Sequence, residues 1–198
     1  MSERPSRQQP RDVTALALPD IDAAAMPSDL AAYFDKCQSK LGFVPNVLVA
    51  HAFDPLKLRQ FADVYNHLMM GESELSKLER EMIAVAVSAR NRCHYCLVSH
   101  GQAVRHLSND PLLGEALVMN HRVADVTPKQ AAMLAFCVQL TDKPEEVGED
   151  DRQALRDAGF SDRAIWDIVA TASFYAMSNR LAIGTGMKAN SEYHGRSR

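Results

Sequence analysis

Residues 81–100 read EMIAVAVSARNRCHYCLVSH, and the rest of the chain can be ordered around this stretch. Just upstream, Ser76-Lys77-Leu78-Glu79 fits a capping box, which opens a strongly apolar helix from Met82 to Ala89. Ile83-Ala84-Val85-Ala86-Val87 alternates like a strand, but strong helix signals flank it, so it is read as helical. A turn at Asn91-Arg92 separates this helix from a second one that starts around Cys93 and runs to about Leu107. At about 100° per residue, Cys93 and Cys96 fall roughly 60° apart, and His100 returns almost over Cys93. All three then share one helix face, with the cysteine Cα atoms within roughly 5–6 Å, inside disulfide range.

Outward from this core, the pattern stays helical. Leu30, Tyr33, Phe34, Cys37 and Leu41 form one face of a helix capped by Ser28 and ended by Gly42. Asp54-Pro55 pairs a cap with proline at the first helical position and starts a helix that stops near Gly71. Asp110-Pro111 and Thr127-Pro128 repeat that signal. Thr141 to Asp150 reads as an acidic loop, followed by helices over roughly Asp151 to Ala158 and Ser161 to Leu181. A weak internal echo pairs the segment from Ser76 with that from Ser161, and sets Ser178 opposite Cys93. It reads as a degenerate duplication of a helical unit or as a chance match of amphipathic helices.

The chain has 198 residues, 46% of them hydrophobic, enough for one substantial core. The net charge of −3 comes from mixed signs and forms no basic stripe for nucleic acid. No apolar run reaches the length of a membrane span. Residues 1–12 are polar and lack the apolar core of a secretory signal, so they are expected to form a flexible leader before an all-α domain over residues 13–198. A cytoplasmic location follows. In that reducing compartment, four cysteines do not suggest a structural disulfide framework.

The helix N-terminus favours thiolate at the cysteine pair, and His100 is a base suited to neutral pH. Glu81 could reach the cysteines only if its helix folds back on theirs. Three blander readings stand beside the redox one. The cysteines could be small buried hydrophobes, as Cys37 and Cys137 are read. Cys93, Cys96 and His100 could bind zinc, with His51, His67, His106 or His121 as fourth ligand. Glu81 could be a solvated surface charge.

The spacing Glu81-x11-Cys93-x2-Cys96-x3-His100, together with Leu41-Gly42-Phe43-Val44-Pro45-Asn46, resembles the alkylhydroperoxidase D-like and carboxymuconolactone decarboxylase-like superfamily. The peroxidase-related branch is the nearest match. The resemblance implies an all-α, compact multi-helix fold that assembles as trimers or hexamers. It implies a hydroperoxide reductase without metal or organic cofactor, recycled by an external dithiol. Cys96 would be the peroxidatic thiol, Cys93 would resolve it to a disulfide, and Glu81 with His100 would form a proton relay. The best-known pattern has histidine directly before the second cysteine. Tyr95 stands there, a weaker base, and His94 points elsewhere. The alternatives are a decarboxylase of a small lactone acid on the same fold and a redox sensor that does not turn over.

Overall fold

In the computed structural model, which describes residues 12–19 and 26–198, side-chain caps set the helix starts read from the sequence. Asp54 accepts from the amides of Leu56 and Lys57 and starts α3 (Pro55–Met70). Ser76 and Glu79 complete the capping box of α4 (Lys77–Asn91). Asp110 caps α6 (Pro111–Asn120), Thr127 with Gln130 caps α7 (Pro128–Asp142), and Ser161 caps α9 (Asp162–Gly184). Each cap satisfies amides that the helix itself leaves unpaired. Between them lie α1 (Ser28–Leu41), α2 (Asn46–His51), α5 (His94–Ser108) and α8 (Glu149–Asp157). The described residues contain no strand.

Several boundaries differ from the sequence reading. Pro27, not Ser28, precedes α1, and no side chain caps it, whereas Gly42 ends that helix in the left-handed region at φ 77° as expected. α2 was not foreseen, because six residues are too few for periodicity to show. Part of the expected loop after Thr141 is a 3-10 turn at Pro144–Glu146, and α8 begins two residues early. The expected leader lies outside the described residues, apart from Asp12. The internal echo is matched at Ser76 and Ser161, which both cap helices. Beyond that the two segments diverge: α4 breaks at Arg92, while α9 runs unbroken past Ser178.

α4 is the centre of the fold. It packs against α5, α9, α7, α6 and α3, and everything from Arg80 to Ser88 is buried. A helix apolar on every side belongs in such a position, and here the alternation of Ile83 to Val87 simply fills the whole circumference. Its buried Arg80 donates to the carbonyls of Leu68 (3.0 Å) and Gly71 (2.9 Å), closing the end of α3. α5 and α6 approach so closely that a Cβ on Gly114 would lie 2.6 Å from Arg105 Cγ and 3.0 Å from the Gly101 carbonyl.

Candidate active site

α4 ends with Arg92 in the left-handed region, at φ 55°. There the amide of Cys93 donates to the Ser88 carbonyl at 3.0 Å, which turns the chain back on itself. The sharp reversal makes α4 and α5 antiparallel neighbours. It brings Glu81 to His100, 19 residues away in sequence, with Oε2 2.6 Å from Nδ1. Both side chains are largely buried. The folding-back that the sequence reading required for Glu81 is therefore present.

Cys93 is the N-cap of α5, extended at φ −81° and ψ 98°, not a helical residue as its periodicity suggested. Cys93 and Cys96 are each 1% exposed, and no disulfide joins any of the four cysteines. Burial places Cys93 in a small apolar cluster with Ala182, Met187 and Ala189. Its thiol is lowered to about 7, first by the facing Cys96 thiol and then, against desolvation, by the amides of Cys96 and Tyr95 and by His100. The Cys96 thiol is pushed up by the Cys93 sulfur beside it and by burial, while Asn179 and Ser178 pull the other way. The helix N-terminus serves the cap residue Cys93 and not the residue three positions in, because only the cap sits outside the first turn facing its free amides.

Cys96, together with Glu81 and His100, lines a cavity of about 230 Å³; Cys93 is not among its lining residues. Tyr95 also lines it, but its hydroxyl accepts the Val47 amide at 2.9 Å at the start of α2. Burial raises the Tyr95 phenol well above its ordinary value. This residue fastens α2 to the site. His94 points away and is exposed.

α9 supplies what the sequence reading missed. The Tyr175 hydroxyl lies 3.4 Å from His100 Nδ1, with its ring edge-on to the imidazole at 4.7 Å. Asn179 is fully buried, donates to Ser88 Oγ at 2.9 Å and accepts from Asn91 at 2.9 Å. Ser178 borders Cys96 within the cavity wall. The signal was in the sequence: Tyr175, Ser178 and Asn179 put polar groups at three- and four-residue spacing on a face otherwise apolar. The echo had set Ser178 opposite Cys93, but without a chemical role. The C-terminal segment closes the far side. Asn190 accepts the Asn46 amide at 2.7 Å, and Tyr193 packs edge-on against Phe43 and lines the cavity.

Among the described residues, no three His, Cys, Asp or Glu side chains are grouped to hold a metal ion. His51, considered as a fourth zinc ligand, instead pairs its Nδ1 with the Val47 carbonyl at 2.6 Å. No helix among the described residues is long and apolar enough to cross a membrane.

The carboxymuconolactone decarboxylase family matches residues 55–137. Among solved structures, an uncharacterized peroxidase-related protein from Silicibacter sp. TM1040 is 53% identical with a TM-score of 0.93, covering 98% of this chain and 100% of that one. A second, described as an alkylhydroperoxidase AhpD core and uncharacterized peroxidase-related protein from Ralstonia eutropha JMP134, is 39% identical with a TM-score of 0.90, covering 96% and 98%. The debrominase Bmp8, 18% identical with a TM-score of 0.74 over 91% of this chain and 93% of its own, shares the fold. No curated protein matches the chain.

Proposed function

Since the chain belongs to the alkylhydroperoxidase D-like, carboxymuconolactone decarboxylase family, we propose that it reduces hydroperoxides through Cys96 and Cys93, with Glu81 and His100 moving the protons. The observation that carries this reading is the cavity that presents Cys96 beside the paired Glu81 and His100, with Cys93 directly behind. With the Nδ1 proton of His100 directed at the Glu81 carboxylate, Nε2 keeps its lone pair and can accept a proton.

The Cys96 sulfur attacks the outer oxygen of ROOH, and the O–O bond breaks. The Cys96 proton passes through His100 to the departing alkoxide, which leaves as ROH, and Cys96 becomes a sulfenic acid. Cys93, as its thiolate, attacks the Cys96 sulfur. The S–S bond forms, and the hydroxide released takes a proton from solvent to give water. An external dithiol then reduces the disulfide and returns both thiols. A homo-oligomer, trimeric or hexameric, and a cytoplasmic location belong to the same reading.

Decarboxylation of a small lactone acid is less well supported. An acid substrate would bring its carboxylate beside Glu81 into a lining that holds no lysine or arginine. A sensor would form its disulfide once and stop. The deciding experiment follows thiol loss and peroxide consumption with a dithiol donor. Cys96→Ser should abolish consumption, and Cys93→Ser should leave a sulfenate that a carbon nucleophile traps. Consumption by Cys96→Ser at the wild-type rate would overturn the assignment.

A further inference from the structure

The walls of the Cys96 cavity are aromatic. The rings of Tyr33, Phe61, Tyr65, Phe174, Tyr175 and Tyr193 face it, and its ionisable pair, Glu81 and His100, are already engaged with each other. Several phenol hydroxyls in the lining are also engaged. Tyr33 donates to Asn66 at 3.4 Å, Tyr95 accepts from Val47, and Tyr175 lies against His100. What the lining offers a ligand is mostly ring faces and edges. Its volume sets the scale. Apolar cavities of about 150 Å³ take a benzene ring. At about 230 Å³ this one takes a ring and roughly three more non-hydrogen atoms.

Phe61 and Phe174 have a second role. Both also line a separate, mostly apolar cavity of about 1060 Å³ bordered by Val64, Leu68 and Met177. Their rings stand 5.4 Å apart and form the wall between the two spaces. From that wall a row of edge contacts leads to the reacting groups, with Phe174 on Tyr175 at 5.3 Å and Tyr175 on His100 at 4.7 Å.

We propose that the Cys96 cavity selects a neutral, compact aromatic hydroperoxide of the benzyl kind, and that Phe61 and Phe174 set its size limit. The inference rests on the peroxidatic reading of Cys96. A ring in the cavity meets other rings at edge and face, and such contacts favour it over a substrate without a ring. Hydrogen peroxide gains nothing from these walls. A fatty-acid hydroperoxide is too long and would bury a carboxylate with no cation to meet it.

The test compares kcat/KM for benzyl hydroperoxide, hydrogen peroxide, a linoleic acid hydroperoxide and its methyl ester. In the wild type the benzyl substrate should exceed the other three by about tenfold or more, the discrimination one or two ring contacts supply. Phe174→Ala should join the two cavities, raising the methyl ester while the free acid stays low. Phe174→Leu serves as the milder change should the alanine variant fail to fold. Hydrogen peroxide or the free acid within twofold of the benzyl substrate overturns the inference. Binding of the product alcohol, benzyl alcohol, to the wild type is followed separately by NMR. Absence of binding overturns the ligand class whatever the redox result. Binding without peroxide-dependent thiol loss overturns the reductase reading and leaves the ligand class standing.

Discussion

Raising the pH of the reduced protein should expose one thiolate per chain with a midpoint at about 7, and Cys93→Ser should erase it. The basis is the contact between the two sulfurs. The Cys96 thiol faces the Cys93 sulfur, and the first amides of α5 favour charge there. At about pH 7.5, a thiol titrating at about 7 is roughly three-quarters ionised, against roughly 3% for one at the ordinary 9.0. The other thiols stay silent in this range. Burial pushes up Cys37 and Cys137, and Cys96 keeps its proton. The buried tyrosines Tyr65, Tyr95 and Tyr175 titrate well above their usual range and do not obscure the signal. The measurement is thiolate absorbance in the far ultraviolet, repeated on both serine variants. Cys96→Ser should keep the step near its place, since a serine hydroxyl can still donate to Cys93. If Cys93→Ser keeps the step and Cys96→Ser loses it, the proton sits on the other sulfur and the resolving role argued for Cys93 fails. Stability should follow the same titration. Between about 7 and 9 the unfolded chain holds a proton that the folded chain has released, so the folded state gains as pH rises through this window. The gain is about 3 kcal/mol at most and is lost as pH falls through about 7.

Glu81→Gln keeps an acceptor for His100 but removes the charge. Losing about 2 kcal/mol of charge-assisted hydrogen bonding should lower kcat/KM about 30-fold, read by steady-state peroxide consumption. Tyr95→Phe should leave kcat/KM within about threefold of the wild type and cost about 1 kcal/mol in urea unfolding, because the Val47 amide loses its acceptor. A drop in rate as large as that for Glu81→Gln would return Tyr95 to the proton path. Gly114→Ala should cost about 1–3 kcal/mol, since the new methyl meets Arg105 Cγ and the Gly101 carbonyl where α5 and α6 touch. Thermal unfolding measures this directly.

Most of the fold could be read locally. Asp54, Ser76, Asp110, Thr127 and Ser161 cap their helices with side chains two or three residues from the amides they serve. Such contacts need no tertiary structure, so the sequence shows them. α2 could not be read this way: its six residues are held by Asn190, Lys188 and Tyr95 from distant parts of the chain. The cysteine pair, His100 and Glu81 were visible as a spacing, and the turn at Arg92 was suspected. Their contact was not visible, because it depends on how tightly α4 and α5 fold against each other.

By itself, then, the sequence determined an all-α chain with a thiol pair, a histidine and a carboxylate at a family-specific spacing. These are properties of periodicity, capping and residue order. Tertiary structure alone decided that Glu81 meets His100, that Cys93 caps α5 while Cys96 faces the cavity, and that α9 adds Tyr175, Ser178 and Asn179. It also set the Tyr95 hydroxyl to accept the Val47 amide at the start of α2. The reason is physical. Thiol ionisation depends on which amides, charges and apolar walls surround each sulfur. Here those neighbours include side chains from α9, about 80 residues further along the chain, and packing alone brings them together.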